Sequence, residues 1–291
     1  MSIKHTLFFL TSRIAVLLVT ASLAIVLMQD FLINPAMTLR GPKGEPRDPA
    51  AMPPGLISNF ISTSDGERLE VWSVDPKHYP VVPQGEVPIV LLHFHGNGEW
   101  VENNASNLEW FHGLGFRPYV YDFRGYGRST GWPSEEGFYR DVDAFLEFVR
   151  AREPADAKII VWGASLGTGL AAYAAQKISP DVLALLMPYS SLPEVVQTRP
   201  LYGPLYRFLW YTIPTSEYVS RLKDTCLIVA HGQDDSVIPI ENGYRVLSSY
   251  HGSVPAKFIY DPSGNHWNTQ GRQQKNLEEA MQNCLATRQR S

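Results

Sequence analysis

Apolar positions along this chain fall into three patterns, and each predicts a different kind of element. The first is an unbroken run. Residues 7–28 are apolar apart from Thr11, Ser12, Arg13, Thr20 and Ser22, and residues 14–28 carry no charge. At about 22 residues, or ~33 Å of helix, the run spans a bilayer if Arg13 reaches back to the headgroups. Its uncharged part alone has the size of a signal-peptide core. Ser22-Leu23-Ala24 offers small residues at a cleavage spacing, but Ile25-Val26-Leu27-Met28 follow, so an uncleaved anchor is the better reading. Lys4 and Arg13 before the span and Asp30 after it put the short N-terminus in the cytoplasm and the rest of the chain on the outer, extracytoplasmic side. Arg40, Lys43 and Arg47 oppose that orientation.

The second pattern is a series of short apolar, β-branched runs at 56–62, 69–74, 87–94, 117–122, 157–161, 182–187, 225–230 and 257–260. The first two flank Ser64-Asp65-Gly66 and predict an antiparallel hairpin at a sheet edge. The 87–94 run is continuous enough for a central strand covered on both faces. The third pattern has helical spacing, clearest at 135–152 with Phe138, Val142, Phe145 and Val149, and helices are also expected over 104–112, 166–178, 241–250 and 272–287. Strands alternating with helices predict an α/β fold with a doubly wound, mostly parallel sheet. Two stretches have neither rhythm. Residues 34–55, rich in proline and glycine, read as a linker. Residues 191–222 carry Tyr202, Tyr206, Phe208, Trp210, Tyr211 and Tyr218 among four prolines, too long for an ordinary connection. That stretch is a short helical cap, a layer resting on the membrane, or an insert packing its aromatics on the sheet. The expected organisation is a membrane segment (1–33), a linker (34–55) and one α/β domain (56–291) with 191–222 inserted.

Composition changes this picture little. A length of 291 residues accommodates one large core. A net charge of −4 with 19% charged residues provides no basic surface for nucleic acid. Cys226 and Cys284 form neither a metal nor a disulfide framework by spacing. Cys226, in an expected core strand, reads as a small buried hydrophobe, and a Cys226 to Cys284 disulfide is open to it in an oxidising compartment.

Candidate chemistry centres on Trp162-Gly163-Ala164-Ser165-Leu166-Gly167, between an expected strand and an expected helix. A serine at the tip of such a turn has strained backbone angles and crowded neighbours, and glycine two residues away on each side removes the Cβ atoms that would clash. A serine hydroxyl needs a base to take its proton, and the base needs a carboxylate to fix its tautomer. On a doubly wound sheet those partners follow the serine, on loops at the carboxyl ends of later strands. After 225–230 come His231-Gly232-Gln233-Asp234-Asp235, and after 257–260 come Asp261-Pro262-Ser263-Gly264-Asn265-His266. His5, His78, His112 and His251 fit the order worse, and His231 precedes the acid.

These residues resemble the serine hydrolases of the α/β-hydrolase superfamily, nearest to the membrane-anchored Bem46-like and α/β-hydrolase-domain-containing branch. The resemblance runs from about residue 56 to the end. It rests on His93-Phe94-His95-Gly96-Asn97-Gly98, on Tyr121-Asp122-Phe123-Arg124-Gly125-Tyr126-Gly127-Arg128-Ser129, on the Ser165 turn and on the acid and histidine loops. It implies Ser165 as nucleophile, His266 as base and Asp235 as acid. Asp235 is preferred to Asp234 by its spacing to Ile238-Pro239, leaving Asp234 as a turn former bonding local backbone. The oxyanion donors implied are the backbone N–H groups of Leu166 and Asn97, with His95 a structural loop histidine. Arg124 either shapes the loop beside the site or is a solvated turn arginine. Glu99 departs from the small or neutral residue common in relatives, and a carboxylate there opposes developing negative charge unless it points away. The activity implied is cleavage of carboxylic esters or thioesters of small molecules or lipids through an acyl-enzyme, with no metal or organic cofactor. An amidase or peptidase of the same fold and a non-catalytic membrane-tethered binding module are the alternatives.

Overall fold

In the computed structural model of the protein, residues 13, 16–24, 29, 43–199 and 203–287 are described. The expected hairpin forms from β1 (Leu56–Ser62) and β2 (Arg68–Val74), antiparallel from Leu56↔Val74 to Ser62↔Arg68. It joins a larger sheet through β2, which pairs antiparallel with β4 (Arg117–Tyr121). The remaining strands are parallel: β3 (Ile89–Phe94), β5 (Lys158–Ala164), β6 (Val182–Leu186), β7 (Cys226–Gly232) and β8 (Ala256–Asp261). The order across the eight-stranded sheet is β1-β2-β4-β3-β5-β6-β7-β8.

Apolar side chains alternate between the two faces of the sheet, and this explains why the central runs are continuous rather than alternating. Val90, Leu92 and Phe94 enter one core layer with Phe138, Val142 and Phe145 of α2 (Glu135–Arg150) and Leu170, Ala171 and Ala174 of α3 (Gly167–Ile178). Leu91 enters the opposite layer with Phe111 of α1 (Ala105–Gly113) and Leu277, Met281 and Leu285 of the C-terminal helix (Gln274–Thr287). Each fully buried leucine in these layers contributes roughly 1.5–3 kcal/mol relative to its exposed state. Cys226 and Cys284 meet across the second layer as a disulfide, with Cα atoms 5.8 Å apart.

Because β3 lies between β4 and β5, the chain leaves β3 toward one side and returns to its other side. In open α/β sheets ligands bind at such a reversal, here the carboxyl ends of β3 and β5.

One sequence expectation requires correction. The linker is not simply a tether: its described part, 43–55, is tied to the domain. Lys43 Nζ donates to the Gly125 and Gly127 carbonyls at 2.8 and 2.9 Å, and Arg47 pairs with buried Glu70. Residues 34–42 lie outside the described residues. The 191–222 stretch contains α4 (Leu192–Gln197) and α5 (Thr215–Ser220), and its buried aromatics meet helices rather than the sheet. Tyr218 packs beside Tyr139 of α2 and Tyr173 of α3, while the Tyr211 hydroxyl donates to the Pro133 carbonyl at 3.0 Å. Phe208 and Trp210 of the same stretch remain exposed. Most of the expected 7–28 span lies outside the described residues. Residues 16–24 are helical, with Val16, Leu17, Leu18, Val19 and Leu23 exposed. Among the described residues no helix is long and apolar enough to cross a membrane.

Candidate active site

Ser165 stands between β5 and α3 with φ of 49°, the left-handed region that an L-residue enters at a cost of about 1–3 kcal/mol. Its neighbours hold it there. The Ser165 N–H donates to the Leu186 carbonyl on β6 at 2.9 Å, and its own carbonyl accepts from the Thr168 N–H and hydroxyl at 3.0 and 2.7 Å. Both flanking glycines are required by packing. A Cβ on Gly163 would stand 2.6 Å from the Ala171 Cβ, and one on Gly167 would overlap the Phe94 carbonyl and lie 2.5 Å from that of His95. The close approach of Gly167 sets the start of α3 against the end of β3. Leu166, the residue before the helix, therefore presents its N–H at the positive end of the α3 dipole.

Two later loops converge on this hydroxyl. His266, after β8, lies with Nε2 2.9 Å from Ser165 Oγ and Nδ1 2.8 Å from Asp235 Oδ2. With a neutral imidazole the serine hydroxyl donates to Nε2, and the Nδ1–H donates to the carboxylate. Asp235 follows β7, and its Oδ1 accepts the Val237 and Ile238 N–H groups, both at 2.8 Å. Burial alone raises a carboxyl pKa. Here hydrogen bonds from His231 and His266, the His266 charge and the Ile238 N–H outweigh it and hold Asp235 well below the usual carboxylate range. Asp235 and His266 are both buried, while Ser165 is half-buried and accessible.

Asp234, the neighbouring carboxylate, is exposed and takes no part in this chain of bonds. Its expected bond from side chain to local backbone does not occur among the described residues. Its backbone N–H instead joins the two loops by donating to the Gly264 carbonyl at 2.9 Å.

His231 is a supporting residue that sequence order passed over. It is fully buried, and its Nε2 faces the Ile238 carbonyl at 2.9 Å and Asp235 Oδ2 at 3.4 Å, so that nitrogen carries the proton. It approaches the same carboxylate oxygen, Oδ2, that His266 contacts. Its position at the end of β7, four residues before Asp235, was the available signal.

The loop after β3 forms the other wall. His95 is buried, stacks on Phe123 at 4.1 Å and donates from Nδ1 to the Gly96 carbonyl at 2.9 Å, as expected of a structural histidine. Burial pushes its imidazole below the ordinary value. The Asn97 Oδ1 accepts from the Tyr126 hydroxyl at 2.9 Å, which fixes that residue within the loop. Glu99 does not point away. Its Oε2 accepts the Gly96 N–H at 3.0 Å, and a Cβ on Gly96 would be 3.5 Å from both the Glu99 carboxylate and the Ser165 Cβ. Arg124 is not a solvated turn residue either. It is buried, donates to Asp141 of α2 and to Asp65 of the hairpin turn, and so clamps the loop after β4. Among the described residues, no group of histidines, cysteines and carboxylates could hold a metal ion.

A mostly parallel sheet whose strand order reverses at β3, a strained serine on the strand-to-helix turn after β5 and a histidine on the loop after the last strand together define an α/β-hydrolase fold. Comparison with known proteins gives the family. Residues 85–226 match the family described as serine aminopeptidase, S33. An uncharacterised protein of Mycobacterium tuberculosis, Rv2307c, is 31% identical over 207 residues, covering 71% of this chain and 70% of that one. The lysophosphatidylserine lipase ABHD12 of Rattus norvegicus is 27% identical over 233 residues, spanning 69% of this chain and 57% of that protein. Among solved structures, the Pyrococcus furiosus esterase Pf2001 matches with a TM-score of 0.63 at 17% identity, over 86% of this chain and 99% of that one, a likeness of fold. The chain belongs to the α/β-hydrolase superfamily, in the branch of the α/β-hydrolase-domain-containing proteins, and is a serine hydrolase of the esterase or lipase type.

Proposed function

We propose that the protein hydrolyses carboxylic esters or thioesters of lipid or small acyl substrates, with Ser165 as nucleophile, His266 as general base and Asp235 as the acid that orients it. The observation that carries this reading is the pair of contacts at 2.9 and 2.8 Å linking Ser165 Oγ, His266 and Asp235. Ser165 Oγ attacks the carbonyl carbon while its proton passes to His266 Nε2, and the imidazolium is stabilised by the ionised Asp235. The carbonyl oxygen becomes an oxyanion, met by the N–H groups of Leu166 and Asn97. His266 then returns the proton to the departing alkoxide or thiolate. A water activated by the same nitrogen attacks the acyl-serine and releases the acid.

The lipid part of the proposal draws on the relative named as a lysophosphatidylserine lipase and on the apolar 7–28 run. That run is read as an anchor carrying the hydrolase domain on the outer face of the membrane, with 191–222 as a small insertion beside the site. The Cys226 to Cys284 disulfide supports an oxidising compartment. One observation favours a second reading. The Glu99 carboxylate on the Gly96 N–H puts negative charge beside the Ser165 turn, which suits a substrate that carries a cation, an aminoacyl amide as well as a lipid with an amino headgroup.

A fluorophosphonate should label Ser165, and mass spectrometry of the adduct, run beside turnover of matched acyl esters and aminoacyl amides, checks both readings. Ester turnover that disappears with the label in Ser165→Ala is the expected result. Labelling that survives this substitution sinks the assignment, and faster turnover of the amide selects the second reading.

A further inference from the structure

The exposed tryptophans of this protein are not scattered. Trp132 follows the carboxyl end of β4, Trp210 lies in the connection after β6, and Trp267 follows β8; their exposures are 60, 57 and 79%. Since β3 to β8 run parallel, these loops leave the same edge of the sheet, the edge that also carries Ser165. Phe208, 60% exposed, belongs to the same group. Local bonds fix the placement. The Tyr211 hydroxyl donates to the Pro133 carbonyl at 3.0 Å, and the Thr212 hydroxyl to Glu135 in the first turn of α2 at 2.8 Å, so the segments that carry Trp210 and Trp132 are joined at the start of that helix. Trp267 packs edge-on against His266, with ring centroids 5.2 Å apart.

A second observation connects this edge to the apolar N-terminal run. Gln29, one residue beyond that run, is buried. Its Oε1 accepts the Trp210 N–H at 2.6 Å and its Nε2 donates to the Phe208 carbonyl at 3.4 Å. Gln29 therefore lies against the backbone of the two exposed aromatics, with the exposed apolar helix at 16–24 a few residues before it in sequence.

We propose that this edge is a bilayer-docking face, with Trp132, Phe208, Trp210 and Trp267 seated at the level of the lipid headgroups. Indole rings suit that depth because an apolar body and one N–H match the boundary between acyl chains and water. The inference rests on the anchor reading of 7–28, which brings the edge to the membrane, and adds a geometric consequence. The mouth of the serine site faces the bilayer, so an acyl ester with its chain in the membrane reaches Ser165 without leaving the lipid phase. The occupant is a lipid surface rather than a protein, because the face is continuous through Gln29 with a run of membrane-spanning composition.

Tryptophan fluorescence of the full chain, reconstituted in phosphatidylcholine vesicles containing spin-labelled acyl chains, tests the proposal. Substantial quenching is expected, and the triple substitution Trp132→Phe, Trp210→Phe, Trp267→Phe should remove most of the quenchable fraction. In Phe208→Ser with Trp210→Ser, turnover of a vesicle-borne ester should fall several-fold while turnover of a soluble short-chain ester holds. Protein that resists carbonate extraction but shows no quenching, or whose quenching survives the triple substitution, overturns the docking face. Protein that carbonate releases but whose tryptophans are quenched on added vesicles overturns the anchor alone and keeps the face. Neither optical result depends on catalysis, so failure of the hydrolase reading is recognised separately by the fluorophosphonate.

Discussion

Asp234 and Asp235 are adjacent in the chain and opposite in environment. Asp235 is buried against His231 and His266 and accepts two backbone N–H groups, whereas Asp234 is exposed and contributes only its backbone. Asp235→Asn keeps an oxygen for the Val237 and Ile238 N–H groups, so the protein should remain folded. The amide cannot hold the imidazole in the productive tautomer, and ester turnover should fall on the order of 10⁴-fold. Asp234→Asn should retain most of the activity. Steady-state rates of the two variants decide the matter, and equal rates would show that the acid has been misassigned. At this scale the meeting of Ser165 and His266 was readable because the order of such groups along a doubly wound chain follows from chemistry. The contribution of His231 and the inward turn of Glu99 were not, because each depends on a contact between residues that the backbone path alone brings together.

At the scale of elements, the turn from β5 into α3 shows how glycine places a reactive group. Gly167 lies against the carbonyls that end β3, so a methyl group there must push α3 or the 95–99 loop outward. Gly167→Ala should cost about 1–3 kcal/mol, as overpacking in a rigid site generally does. It should also lower activity further by shifting Leu166 relative to the Asn97 loop. Gly271→Ala, where a Cβ meets nothing within 4 Å, is the control and should leave both unchanged. Thermal unfolding and ester turnover measured on the pair provide the check, and equal behaviour would remove the packing argument. The eight strands and the larger helices were legible because apolar runs and helical spacing report burial directly. Their ends were less so: β5 continues to Ala164, past the 157–161 run, because the glycine at 163 accommodates α3 without leaving the sheet.

At the scale of the whole molecule, Cys226 and Cys284 close a loop of 58 residues between β7 and the C-terminal helix. In the chain-entropy account such a closure stabilises the folded protein by about 4 kcal/mol. Protein isolated from an oxidising compartment should therefore show no alkylatable thiol before reduction. Its thermal midpoint should fall by several degrees in Cys284→Ala or under reductant. Free thiols in the folded protein, or an unchanged midpoint, would remove the disulfide and its support for an outward-facing domain. Lys43 and Arg47, which weigh against that orientation when counted as loop charges, are engaged with the domain through the Gly125 and Gly127 carbonyls and Glu70.

The linear sequence determined what depends on local composition and order. The 87–94 run specified a strand covered on both faces, the glycines around Ser165 specified a crowded turn, and the order of serine, acid and histidine specified which loops to compare. Tertiary structure decided what depends on distance. It buried Asp235 against His266 and left its neighbour Asp234 exposed, paired two cysteines that spacing left open, and tied residues 43–55 to loops more than 70 positions away. It also gathered Trp132, Trp210 and Trp267 on one edge, although they are spread over 136 positions of sequence. The physical reason is the same in each case. Hydrophobic periodicity reports how a segment is buried, while the partner of a charge, a thiol or an exposed ring is set by which strands the sheet makes neighbours.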